Sequence, residues 1–164
     1  MTSPLHHLGI VCDCMVFLQA VANDDSPAAK ILDLMEAGEI RLYVSDQILC
    51  EVREVMNRPR LKAKLSGLTD ERVEAFFQRL ERQAFWLQEV TNRFDFHRDP
   101  KDAPYINLAV AADADFIISR DNDLLDLMNK HDEDSKEFRQ RFRPLKVITP
   151  EALLAEVERN RARI

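Results

Sequence analysis

The chain has 164 residues, of which 46% are hydrophobic and 32% charged, a length and balance that suit one folded domain with a single core. Its formal net charge of -6 argues against a protein that holds nucleic acid through overall charge. No run approaches the roughly 20 apolar residues of a membrane span, and the N-terminus lacks the basic-then-apolar order of a signal peptide, which predicts a cytoplasmic protein with no membrane partner.

The first predicted element is a buried strand over 7–13, apolar almost throughout, as in a strand covered on both faces. It runs into VCDCMVFLQA, where Asp13 stands between two thiols and the nearest basic residue downstream is Lys30. An ionised carboxylate in apolar surroundings needs a cation or several donors. Its partner is therefore a helix N-terminus, a distant side chain or a metal ion.

A helix over 28–37 follows, with Ile31, Leu34 and Met35 at helical spacing and Gly38 as its stop. A strand over 41–44 leads to Ser45, an N-cap for a helix that reaches about Asn57 and that Pro59 ends. The stretch 69–84 repeats the helical pattern through Val73, Phe76, Phe77 and Leu80, and 85–90 is a weaker strand candidate. In RDPKDAPYINLAVAADADFIISRDNDLL, a helix with Ile106, Ala109 and Val110 inward precedes a strand over 115–119. The charged segment 129–144 breaks the rhythm and is expected to be a surface insertion in a single domain over 1–164. A strand over 145–148 and a helix opened by Thr149 and Pro150 complete the chain.

Strands alternating with helices predict an α/β fold with a mainly parallel sheet covered on both faces. With only 3 glycines there is no glycine-rich phosphate loop. Cys12, Cys14 and Cys50 form neither a CxxC pair nor a zinc spacing, and they read as buried small hydrophobes in a reducing compartment. Basic charge is clustered at Arg58, Arg60, Lys62 and Lys64, and again at Arg139, Arg141, Arg143 and Lys146. The plain reading of both clusters is solvated surface.

Ligands of open parallel sheets bind beyond the carboxyl ends of the strands, and acidic residues gather there. Asp13 leaves the first strand, Asp121 leaves the strand over 115–119, Asp102 opens a helix, and Glu51 lies beside the apolar face of the helix after Ser45, one turn from Ile48 and Val55. Singly, each is better explained as a cap, a dipole partner or a boundary residue. Four carboxylates at one crevice repel one another, and such a cluster persists only if a cation or protons neutralise it. Oxygen-only ligation selects Mg²⁺ or Mn²⁺.

VCDCMVFLQA, SDQILCEVREVMNRP, RDPKDAPYINLAVAADADFIISRDNDLL and ITPEALL together resemble the PIN-domain nucleases, in the branch known as toxins of toxin–antitoxin pairs. The resemblance covers nearly the whole chain. It implies a three-layer α/β/α sandwich and metal-dependent endoribonuclease chemistry on RNA, with Asp13, Glu51, Asp102 and Asp121 as catalytic and metal-binding acids. Asp99 and Asp123 are implied as outer-shell or alternate ligands, Arg58, Arg60, Lys62 and Lys64 as contacts for the RNA backbone, and an antitoxin protein as a partner. A homodimer is a further expectation.

One position departs from the family pattern. The first motif usually carries Asn two residues after its Asp, and this chain has Met15, whose thioether cannot donate a hydrogen bond. The competing reading is therefore a PIN-fold binding or regulatory module with an impaired site. A phosphohydrolase of small molecules is disfavoured, because neither a glycine-rich loop nor a DxD motif follows the first strand.

Overall fold

The computed structural model describes residues 7–163. Strand β1 (Leu8–Cys12) has every residue buried and passes through Asp13 directly into helix α1 (Cys14–Ala22). Helix α2 (Pro27–Glu36) follows, capped by Ser26, and Gly38 at φ 74° turns the chain into β2 (Ile40–Val44), in the left-handed region that glycine enters without strain. Ser45 caps α3 (Asp46–Met56) by accepting from the Ile48 amide, as the sequence predicts. Pro59 does not simply end that helix. It opens a separate short helix, α4 (Pro59–Lys64), because proline at a first helical position leaves no amide unsatisfied.

Thr69 caps α5 (Asp70–Gln83), which leads into β3 (Phe85–Trp86). Of the weaker strand candidate 85–90, only these two residues pair with β2, and the Leu87 amide still donates to Val44. An irregular stretch then reaches a single 3₁₀ turn (Pro100–Asp102), helix α6 (Ala103–Ala111) and strand β4 (Phe116–Ile118). After β4 come α7 (Asn122–Leu125), α8 (Glu133–Arg141), β5 (Lys146–Ile148) and α9 (Pro150–Ala162).

The five strands are all parallel in the order β3-β2-β1-β4-β5, and helices cover the sheet in a three-layer α/β/α arrangement. Strand order reverses between β1 and β4. That reversal opens a crevice at the carboxyl ends of the two strands, where α/β folds bind their ligands. Helix α1 fills the layer next to it and is apolar but for Gln19, with Val16, Phe17, Leu18, Ala20 and Val21 buried, which anchors Asp13 at its N-terminus in the core.

The charged segment 129–144 has an inner face. Phe138 on α8 is fully buried and meets Phe94 and Phe142 ring to ring at 6.0 and 5.9 Å, while Asp134 and Ser135 are also buried. The cysteines differ from expectation. Cys12 is buried and Cys14 half-buried, but Cys50 lies exposed, because it falls on the outward face of α3 between the buried Leu49 and Val52.

Candidate active site

Asp13 is the N-cap of α1, with extended backbone angles and one carboxylate oxygen accepting from the Val16 amide at 3.0 Å. Its other oxygen accepts a short hydrogen bond from the Ser119 hydroxyl, and its own amide donates to the Ile118 carbonyl at 3.1 Å. Burial pushes the Asp13 carboxyl up, and the bonds from Ser119 and Val16 oppose that shift. The acid in the apolar run thus has two protein partners, a helix N-terminus and a hydroxyl 106 residues away. Ser119 is fully buried, and its oxygen also accepts from the Asp121 amide at 2.9 Å. One serine therefore ties the ends of β1 and β4 together.

Asp121 is exposed, caps α7 and accepts from the Asp123 amide at 2.9 Å. Carboxylate oxygens of Asp99, Asp121 and Asp123 lie within 4.8 Å of one another. Asp123 already has a cation, since Arg98 reaches it at 2.6 Å and Asp126 at 2.8 Å. Asp99 caps the 3₁₀ turn through a 3.2 Å bond from the Lys101 amide.

Asp102, at the end of that turn, is in a different condition. Its Oδ2 is inaccessible to solvent and has no hydrogen-bond partner among the described residues. Burial above all, then the carboxylates of Asp99, Asp121 and Asp13, push its carboxyl up to about 8. A buried acceptor left unpaired beside like charges is costly. An oxygen-rich, unsatisfied pocket of this kind fits a hard divalent cation, which would pair the orphaned oxygen and cancel the repulsion.

Glu51 stands off from the aspartates. It is half-buried on α3 and accepts a long bond of 3.4 Å from the Tyr105 hydroxyl, and burial raises its carboxyl. Tyr105 is itself buried, and its hydroxyl is pushed well up by burial and then by Cys14, Glu51 and Asp13, so it sits between Glu51 and the aspartate group. Cys14 is pushed up to about 12 by burial and then by Glu51 and Asp13, which leaves it a thiol rather than a nucleophile.

Met15 is half exposed and faces out from the second position of α1. Among the four basic residues assigned to RNA, Arg58 pairs with Glu54 at 3.2 Å and Lys62 engages Asp70, while Arg60 and Lys64 are exposed without an ion pair among the described residues. Arg58 also acts electrostatically on Glu51 and Cys14, which places it on the Glu51 side of the site. Sequence reasoning missed Ser119, Tyr105 and Arg98. A serine ending the strand FIIS at the same edge as Asp13 was the available signal for the first. The other two have none, since their partners lie 25 or more residues away.

Comparison with known proteins identifies the family. A family model described as a PIN domain matches residues 9–123, a span that begins in β1, ends in α7 and contains Asp13, Glu51, Asp99, Asp102, Asp121 and Asp123. The chain is also 30% identical over 150 residues to the uncharacterized protein MJ1680 of Methanocaldococcus jannaschii, covering 92% of each. PIN domains are generally nucleases. With its parallel sheet, its acidic crevice and a match across most of its length, the chain belongs to the PIN domain family.

Proposed function

We propose that the protein is a metal-dependent endoribonuclease that hydrolyses RNA phosphodiester bonds. The observation that carries this reading is Asp102, a carboxylate with one solvent-inaccessible, unpartnered oxygen and a carboxyl raised to about 8 by burial and three neighbouring acids. Asp13, Asp102 and Asp121 would hold Mg²⁺ or Mn²⁺; of these Asp121 belongs to the close carboxylate group with Asp99, a further oxygen donor, and Asp123, which Arg98 keeps in place, while Asp13 and Asp102 lie outside that group and interact with it electrostatically. When bound, such an ion supplies an acidified water and offsets negative charge on the phosphodiester under attack.

The chain's own residues supply orientation. The Ser119 hydroxyl donates to Asp13 and its oxygen accepts from the Asp121 amide, so the acids at the two strand ends keep their spacing as charge builds between them. Glu51, oriented by Tyr105, is the group for positioning the attacking water. Arg58 beside it, with exposed Arg60 and Lys64, supplies local positive charge for the flanking RNA backbone in a protein that is acidic overall. As the toxin of a toxin–antitoxin pair the protein would cut cellular RNA until an antitoxin covers this crevice; the support for that role is the resemblance of its motifs.

One observation favours a second reading, a PIN-fold module that binds metal and RNA without turnover. Met15 offers the acid group no hydrogen-bonding side chain where the family carries an amide. The test is cleavage of single-stranded RNA with millimolar Mn²⁺ or with EDTA, alongside thermal melting in both. Cleavage with Mn²⁺ only, and a higher melting temperature with Mn²⁺, are expected; occupancy at 100 times Kd stabilises by about 2.7 kcal/mol. A raised melting temperature with no cleavage selects the second reading, and cleavage that persists in EDTA removes the metal from the first.

A further inference from the structure

His97 is held in a way that its place in the fold does not require. Asp134, buried on α8, uses both carboxylate oxygens on this one residue: Oδ2 accepts from the His97 amide and Oδ1 bonds Nδ1 of the imidazole, each at 2.8 Å. The irregular stretch before the 3₁₀ turn is already anchored on its other side by Asn107, whose amide group bonds Arg93, Phe94, Asn92 and Ala103 at 2.7 to 3.1 Å. The backbone bond alone would complete that anchorage. The additional bond to Nδ1 fixes the direction of a ring that is 81% exposed, leaving Nε2 with no hydrogen bond among the described residues. A buried carboxylate that orients an exposed ring marks the ring as a contact group.

The ring lines a cleft of about 420 Å³, of the size that takes small ligands. One wall is Pro100 and Pro104, which flank Asp102, and the other includes Gln47 at the start of α3. Phe96 and Asn92 contribute an apolar and a polar surface between them. Because α3 begins at the end of β2 and α6 leads back into β4, the cleft lies at the carboxyl edge of the sheet, and Pro100 in its wall stands next in sequence to Asp99. Asp134 lies beyond the 9–123 span matched by the family, so the charged segment of α8 supplies the orienting group from outside it.

We propose that this cleft seats the ribonucleotide adjoining the scissile phosphodiester, with Nε2 of His97 hydrogen-bonding the sugar–phosphate backbone of that nucleotide and Asp134 acting as the positioning residue. The inference rests on the RNA-cleaving reading above. Its lining of apolar and amide groups with one carboxylate, Asp95, suits the base and sugar of a nucleoside, and the turn that carries Pro100 into its wall also carries Asp102 and follows Asp99, which suits a neighbour of the cleaved bond.

The test is steady-state cleavage of single-stranded RNA with Mn²⁺ by wild type, His97→Ala, His97→Gln and Asp134→Asn. For His97→Ala, KM is expected to rise about tenfold, the loss of one hydrogen bond to a charged backbone, with kcat near wild type at an assay temperature well below the melting transition, which itself falls because a buried Asp134 oxygen loses its partner. His97→Gln should recover part of the loss, and Asp134→Asn should raise KM by less than His97→Ala. RNA shortened one nucleotide at a time from either end should reach a length at which wild type and His97→Ala have the same KM. An unchanged KM in His97→Ala, or a fall in kcat that tracks a lower melting temperature, overturns the inference and leaves the nuclease reading intact. Wild-type protein that cleaves no RNA overturns both.

Discussion

Two sides of one acidic crevice are built on opposite principles. At the strand-end side, Asp13 is buried yet satisfied, with Val16 and Ser119 as donors. On the side of the 3₁₀ turn, Asp102 is only half-buried yet carries an orphaned oxygen and the more strongly raised carboxyl. Degree of burial therefore does not rank the two sites; the supply of donors does. The first side is a structural corner tied by two hydrogen bonds. The second stores unfavourable electrostatics that a cation would relieve.

The sharpest way to break this contrast is Asp102→Asn. RNA cleavage is expected to fall by about 100-fold or more, since even groups that merely support a metal ligand cost about 10-fold to 100-fold. Meanwhile the melting temperature in EDTA should hold or rise, because like-charge repulsion is removed. Cleavage assays and melting curves on the same preparation check both halves; EDTA-sensitive cleavage at the wild-type rate would take Asp102 out of the site.

Ser119→Ala tests the other side. It leaves a buried Asp13 oxygen without its donor, and a loss of about 1–3 kcal/mol is expected, read as a drop in melting temperature of roughly 2–4 °C per kcal/mol for a chain of this size. A variant as stable as wild type would mean that the corner is not held by this bond.

The contrast also has a pH signature. The Asp102 carboxyl is raised from an ordinary value near 4 to about 8 in the folded chain, so the folded state binds its proton more tightly than the unfolded state does. Its contribution to stability is complete below about pH 4 and is lost as pH rises through about 8. Metal-free protein should therefore melt at lower temperature at pH 9 than at pH 6, and Asp102→Asn should flatten that slope. An equal slope in the two proteins would assign the pH dependence to other groups.

The smallest effect on stability is expected at Met15. Because its side chain is 51% exposed, Met15→Asn buries no amide, and stability should change by no more than about 0.5 kcal/mol. If the amide restores support to Asp13, metal-dependent cleavage should rise, bounded by about 10-fold to 100-fold. Cleavage at the wild-type rate would show that Ser119 and the α1 amides already hold Asp13 without it.

Much of the architecture is legible in the chain itself. Apolar runs of strand length, the caps Ser45, Thr69 and Thr149, and Gly38 at a helix end are local signals, and the elements they predict form at those places, because hydrogen-bond capping and backbone freedom act over a few residues. The alternation of strands and helices likewise carries the parallel α/β class, and Asp13 at a strand end already poses the question of its partner. Which partner answers is not a local matter. Only the strand order sets β1 beside β4 and brings Ser119 to Asp13 across 106 residues, and only the packing of α8 brings Asp134 to His97 across 37. Periodicity in a sequence reports which face of an element is buried; which charges then meet depends on how separate elements dock, and in this protein that docking leaves Asp13 satisfied and one Asp102 oxygen without a partner among the described residues.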